Sequence, residues 1–338
     1  MKDSELVDEG SYGCVYYPSL ACKGKSHPKI ISKIQTDDEN SKRELFLGGL
    51  IKKIPDYLSY FAPVRKKCDL NISKASFKNK KDCTLFKTYK NHTFVNQIMP
   101  YVSGKSIRDF IIRKKHPKLV IRVLLDGFHH LLKGLDILHN NDICHFDIKL
   151  DNILVDEVRN LPIWIDFGLS IYIPDFKKNI ENYFYIFKPD HNTWALEVHF
   201  ANLILHEKEK PTLNDIKDMC AKFANTFKDI MSQKEIQKYK DDSIQYLSSF
   251  LERKNPIDEI IKHWRKWDIY AICMEYISIF HHLRVNNRLS NELVRLFKQN
   301  IHPNPNKIKN IKEILTSFKN ILEKYGTVEN YQSFVDSS

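Results

Sequence analysis

The stretch that most constrains this chain runs His145-Phe146-Asp147-Ile148-Lys149-Leu150-Asp151-Asn152, then the apolar Ile153-Leu154-Val155, then Trp164-Ile165-Asp166-Phe167-Gly168. Asn152 lies five residues after Asp147, just before a short β-like run, and Asp166 lies nineteen after it, at the end of another. That separation suits a hairpin returning both polar groups to one cleft. A carboxylate beside an incoming hydroxyl, with oxygen ligands for a metal that neutralises phosphates, is what a phosphoryl transfer requires.

The two motifs resemble the H-R-D-L-x-x-x-N loop and the D-F-G triplet of the protein-kinase family, in order and spacing, though Phe146 stands where the arginine would be. The resemblance implies a two-lobed α+β fold with a small β-rich lobe (1–102) and a larger helical lobe (103–338). It also implies an ATP-dependent serine/threonine protein kinase. Asp147 would be the base that orients the acceptor hydroxyl, and Lys149 a cation near the transferred phosphoryl group. Asn152 and Asp166 would hold Mg²⁺, with Mn²⁺ as the alternative metal.

Further matches follow on either side. Val7-Asp8-Glu9-Gly10-Ser11-Tyr12-Gly13-Cys14-Val15 looks like the kinase glycine-rich loop with its first glycine replaced by Asp8. Gly10 and Gly13 let backbone amides approach phosphate oxygens, while Asp8 sets a negative charge near an anionic ligand. Ile30-Ile31-Ser32-Lys33-Ile34 resembles the V-A-I-K strand, which implies Lys33 on the α/β-phosphates. Its partner is expected to be Glu44, at the head of the periodic run Leu45, Leu47, Leu50, Ile51 and Ile54, with Glu39 as the substitute. Gln97 to Gly104 resembles the hinge between kinase lobes. Met99 would then guard the back of an adenine pocket and Val102 offer backbone hydrogen bonds, with Val7, Val15, Ile31 and Leu154 enclosing the base. Ile31 stands where the family has a small alanine. Trp267-Asp268-Ile269-Tyr270 resembles the start of the family's long central helix, whose aspartate would anchor the catalytic loop; a buried helix with a capping Asp reads the same way.

The departures are as informative. Phe146 removes the cation that pairs with an activation-loop phosphate, so activity without such a phosphate on Ser170 or Thr193 is expected. Ala195-Leu196-Glu197 keeps the Ala and Glu of A-P-E, and the glutamate's family partner has become Ile308, leaving either a bridge from Glu197 to Lys307 or Lys309 or none. An insertion falls at about 63–91. A second, helical in pattern at 214–227 and 234–251, falls at about 200–262 and is either a substrate surface or a solvated hairpin. These features resemble the divergent kinases of large cytoplasmic DNA viruses.

Composition narrows the rest. A hydrophobic share of 42% with 28% charged residues is globular. No apolar stretch is long enough to span a bilayer and the first nine residues lack a signal-peptide core, so an intracellular, cytoplasmic protein is expected, in host cytoplasm or virion if viral. The seven scattered cysteines have no C-x-x-C pair and suggest free thiols in a reducing cytosol. The net charge of +11 fits a solvated basic face, with runs at 65–67, 78–81 and 113–115. It is compatible with a nucleic-acid partner, although no helix-turn-helix, zinc or aromatic-platform pattern supports one. ATP and protein substrates are the partners the motifs imply. Two rival readings share them: a pseudokinase that binds nucleotide as an interaction module, kept open by Asp8 and Ile31, and a small-molecule phosphotransferase, disfavoured by Lys149 two residues after the base.

Overall fold

Short β-like runs cannot bury an apolar face alone, and those near the start of this chain pair with one another. The computed structural model describes residues 4–10, 13–20, 22, 29–70, 82–89, 92–112 and 117–331. Ser11 and Tyr12 of the glycine-rich motif, the basic runs at 78–81 and 113–115, and the side chain of Leu119 lie outside the described residues. In chain order the elements are β1 (Glu5–Gly10), β2 (Gly13–Tyr17), β3 (Ile30–Thr36), α1 (Glu39–Ile51), β4 (Lys66–Leu70), α2 (Leu85–Thr88), β5 (Phe94–Pro100), β6 (Gly104–Ser106), α3 (Ile107–Ile112), α4 (Pro117–Asn140), β7 (Ile143–Cys144), β8 (Ile153–Asp156), β9 (Leu161–Trp164) and β10 (Ile171–Tyr172). Helices follow: α5 (Ile173–Phe176), α6 (Ile180–Tyr183), α7 (Leu196–Asn202), α8 (Leu213–Asn225), α9 (Gln233–Ser248), α10 (Pro256–Ile261), α11 (Trp264–Leu283), α12 (Arg288–Gln299) and α13 (Ile311–Tyr325). The fold is α+β, as the sequence indicates. It divides into two compact units, residues 1–107 with 152–170 and residues 108–151 with 171–338.

In the first unit five antiparallel strands form a sheet in the order β1-β2-β3-β5-β4. Lys33 pairs with Val15 on one side and Gln97 on the other, and Ile31 with Met99, so these five residues share one face. The opposite face carries Cys14, Tyr16, Ile34 and Phe94, packed with Cys83 and Leu85. β4 lies inside the stretch 63–91 and supplies the edge of the sheet. A reciprocal cap starts α1: Ser41 N donates to Asp38 at 2.9 Å and Asp38 N to the Ser41 hydroxyl at 3.2 Å. Gly48 lets the helix lie against residue 64, since a Cβ there would sit 1.9 Å from the Val64 carbonyl oxygen.

The cysteine expectation is corrected here. Cys14 is bonded to Cys83 and Cys22 to Cys68, while Cys144, Cys220 and Cys273 are free and buried. The partners are 69 and 46 residues apart in sequence. No local spacing announces such pairs; the tertiary fold brings Cys83 to Cys14 of β2 and Cys22 to Cys68 of β4.

In the second unit α11 is buried along most of its length, from Trp264 to Leu283. Phe128 of α4 packs on Tyr276, Phe297 and Phe318 of α11, α12 and α13, with ring centroids 4.7 to 5.0 Å away. The expected helical patterns at 214–227 and 234–251 are α8 and α9, each opened by a reciprocal cap, Thr212 with Asp215 and Ser232 with Glu235.

Candidate active site

The candidate residues fall into two groups, one in each unit. In the first unit strand alternation turns Lys33 toward α1, where Ser41, Glu44, Gly48 and Ile51 form the buried stripe. Lys33 Nζ donates to both Glu44 oxygens, at 3.0 and 3.1 Å, and to Asp166 Oδ1 at 3.2 Å. Glu39, the substitute, is exposed and pairs with Lys42 instead. Burial opposes the Lys33 charge, but Asp166 and Glu44 outweigh it and hold the ammonium above its ordinary pKa. Burial pushes the Glu44 carboxyl up and Asp166 adds to it, against the pull of Lys33 and of the Gln35 amide at 3.2 Å. Gln97 fixes the same helix by donating to the Ser41 carbonyl at 3.0 Å. The sequence marks Gln97 only as the start of the hinge-like stretch and Gln35 not at all, though polar residues on the Lys33 face of a β-run signal such a network.

Asn152 and Asp166 flank the β8–β9 hairpin, and Ile165 N donates to the Asn152 carbonyl at 3.1 Å. Asp166 adopts a left-handed backbone (φ 57°), its carboxylate accepting from Gly168 N at 3.3 Å. Arg43 of α1 donates to the Gly168 carbonyl at 3.2 Å, and Phe167 packs edge-on against Phe61. Two carboxylates share the Lys33 ammonium. Of the two, Glu44 is 2% exposed and Asp166 34%, so only Asp166 can meet an ion arriving from solvent. A carboxylate and an amide oxygen are hard donors and fit Mg²⁺ or Mn²⁺.

Around the same sheet Met99 is buried, Val15, Ile31, Val102 and Leu154 are half-buried, and Val7 is exposed. Gly13 is demanded by packing, because a Cβ would lie 2.6 Å from the Ile34 carbonyl oxygen, whereas Gly10 faces open space. Asp8 pairs with Val15 beside an irregularity in β1.

In the second unit Lys149 Nζ lies 2.9 Å from Asp147 Oδ2. The loop that carries them is fixed from below by Asp268, whose carboxylate accepts from His145 N at 2.8 Å, Phe146 N at 2.9 Å and His139 Nε2 at 3.0 Å. Burial works against this charge, but His139 and the backbone donors hold the carboxyl below its ordinary range. Asp268 thus anchors the loop backbone. No local sequence pattern marks His139 or Trp194; Trp194 Nε1 donates to the Phe146 carbonyl at 3.0 Å. Phe146 has a left-handed backbone (φ 64°), which costs a bulky residue roughly 1–3 kcal/mol. Its ring stacks on Trp194 at 5.1 Å and Phe184 at 5.8 Å and tilts on Trp267. Aromatic packing therefore joins this loop to residues 184–194, where the family arginine would use a phosphate.

Glu197 is buried, and among the described residues it has no cationic partner. Its carboxylate accepts from Trp267 Nε1 at 3.2 Å, and burial pushes its pKa up from 4.5 to about 7. Neither lysine expected as partner meets it: Lys309 donates to the Ser317 hydroxyl. A raised carboxyl favours the fold fully below its ordinary pKa of 4.5 and loses that contribution as pH rises through about 7. Glu197→Gln should therefore be more stable than the parent at pH 8, by up to about 3 kcal/mol, with the difference vanishing near pH 4. Urea unfolding at several pH values checks this, and a variant less stable at pH 8 refutes it.

Residues 71–318, well over half of the chain, match the protein kinase domain family, and the chain belongs to that family. Its members are phosphotransferases that take ATP with a divalent metal and act on proteins. Among curated proteins the chain is similar to death-associated protein kinase 2 of Mus musculus and of Homo sapiens, each 36% identical over 96 residues. Those residues are 27% of this chain and 25% of each relative, so the chain spans about a quarter of the length of the curated relatives it matches. No helix among the described residues is long and apolar enough to cross a membrane.

Proposed function

We propose that the chain is a serine/threonine protein kinase that transfers the γ-phosphoryl group of ATP to hydroxyls of protein substrates. The observation that carries this reading is Lys33 held between Glu44 and Asp166, a buried ammonium fixed at 3.0 and 3.2 Å from two carboxylates that the family places at its nucleotide site. A bound divalent ion would neutralise phosphate charge. Asp166 and Asn152 are the residues to hold it, and Lys33 the cation for the α/β-phosphates. Val7, Val15, Ile31, Met99, Val102 and Leu154 are the lining for adenine, and Gly10 and Gly13 the backbone approach to phosphate. Asp147 takes the proton of the acceptor hydroxyl as its oxygen bonds to the γ-phosphorus, and the bridging P–O bond breaks with its electron pair leaving on ADP. Lys149, salt-bridged to Asp147, favours Ser/Thr over Tyr acceptors and keeps a positive charge beside the transferring group.

The segment at 184–194 is held by the rings around Phe146, so in this reading no phosphate on Ser170 or Thr193 is required. Its setting is the cytoplasm, where the two disulfides face a reducing thiol pool. A nucleotide-binding pseudokinase is the second reading, favoured by the negative charge of Asp8 in β1.

The test is transfer from labelled ATP with Mg²⁺ or Mn²⁺ to casein, using protein whose intact mass shows no phosphate, alongside Asp147→Ala and Asp166→Ala. Label on Ser or Thr that both substitutions reduce by at least about 10²-fold is the expected result. Nucleotide binding without transfer would move the chain to the pseudokinase reading, and label that depends on prior phosphorylation would remove the role given to the rings.

A further inference from the structure

The β1–β2 hairpin that carries Gly10 and Gly13 is fastened, at the residue pair next to those glycines, to one short segment. Glu9 and Cys14 are register partners across the hairpin. Cys14 is bonded to Cys83, and the Glu9 carboxylate accepts from both the backbone amide of Thr84, at 2.7 Å, and the Thr84 hydroxyl. Those two bonds from Thr84 hold the Glu9 carboxyl below its ordinary range. The next residues seat the segment: Leu85 joins the buried cluster of Cys14, Tyr16, Ile34 and Phe94, and Phe86 packs edge-on against Phe94 at 5.2 Å. Residues 83–86 therefore clasp the sheet face opposite Lys33, and a single covalent bond ties the clasp to the hairpin. The other disulfide, Cys22–Cys68, joins different residues.

β1 is the edge strand of the sheet and β2 pairs with β3 only over Cys14 to Tyr16, so the glycine-bearing end of the hairpin has sheet support on one side alone. If only a fraction of molecules holds it in the binding conformation, apparent nucleotide affinity falls by that fraction. We propose that the Cys14–Cys83 disulfide is a redox-sensitive clasp on the phosphate-facing hairpin, closed for tight nucleotide binding and opened by a dithiol reductant. This rests on reading the hairpin as part of a nucleotide site. In the opening step a thiolate of the reductant attacks one sulfur and the S–S bond breaks. The reductant's second thiol then resolves the mixed disulfide, leaving Cys14 and Cys83 as thiols and the reductant as a disulfide, with two electrons and two protons transferred. Both cysteines are buried, so attack requires the segment to lift, and the exposed Glu9–Thr84 bonds resist that lifting.

The experiment measures the affinity of a fluorescent ATP analogue for the full chain, oxidised and after dithiothreitol. Thiol alkylation and mass spectrometry report the state of each cysteine. Reduction should weaken binding by about tenfold, the value for a competent hairpin in one molecule of ten. Cys14→Ser with Cys83→Ser should bind weakly and ignore the reductant, whereas Cys22→Ser with Cys68→Ser should keep the response. Glu9→Gln should be reduced faster than the parent. Free thiols at Cys14 and Cys83 in protein prepared without reductant, or an affinity unchanged by reduction, would overturn the clasp alone. No binding in either state would overturn the clasp and the nucleotide site together.

Discussion

Lys33→Met should lower phosphate transfer by about 10²–10³-fold. Lys33 Nζ reaches three carboxylate oxygens, two of Glu44 and one of Asp166, all within 3.2 Å. Methionine keeps the length and apolar stem but leaves two carboxylates facing each other with no cation between them. Breaking a buried pair from one side typically costs about 3–5 kcal/mol, because the remaining charge is stranded. Glu44 has a way out: burial and Asp166 already push its pKa up, so without Lys33 it takes a proton and the stability loss grows with pH. Adding Glu44→Gln to Lys33→Met should restore much of the stability at pH 8 and none of the transfer. Denaturant unfolding with labelled transfer on the four proteins of this cycle checks the argument. A Lys33→Met protein that transfers phosphate within a few fold of the parent would remove Lys33 from the proposed site.

What could be read from the sequence follows from how local each signal is. A lysine inside an apolar strand needs a partner, which marks Lys33, and Glu44 heads the apolar-periodic run that begins at Leu45; both signals span a few residues. The strand, turn and strand from Asn152 to Asp166 were equally local. The disulfides were not legible, because Cys14 and Cys83 meet only once β2 lies in the sheet and the chain returns 69 residues later. The surroundings of Glu197 were hidden for a related reason. The loss of the family arginine was visible, but not that burial against Trp267 would take its place. At Phe146 the missing cation was plain, while the rings that replace it come from residues 184, 194 and 267 and required the tertiary fold.

Asp268→Asn should be the most damaging isosteric change in the second unit. The carboxylate accepts three hydrogen bonds, two from consecutive backbone amides and one from His139 of α4, and neither amide can turn away without moving the loop. An asparagine amide offers one oxygen and turns an NH₂ group toward a donor, leaving a buried N–H opposed by another N–H. The expected cost is about 3–5 kcal/mol. Since Phe146 is held at φ 64° by these bonds and its ring contacts, the backbone should relax toward ordinary angles and shift Asp147, its neighbour. A displacement of about 1 Å at a reacting group costs about 10² in rate, so kcat should fall about 10²-fold. KM for ATP should change little, because the nucleotide contacts proposed here belong to the other unit. The pH signature separates this from general unfolding. A carboxyl held below its ordinary pKa contributes stability above that pKa and loses it as pH falls through the folded value, so the parent has an acid-labile component that Asp268→Asn lacks. His139→Ala, which removes one donor of three, should show a smaller loss of kcat in the same direction. If KM for ATP rises in step with the loss of kcat, or the acid limb of stability is unchanged in Asp268→Asn, Asp268 does not act by holding the catalytic loop.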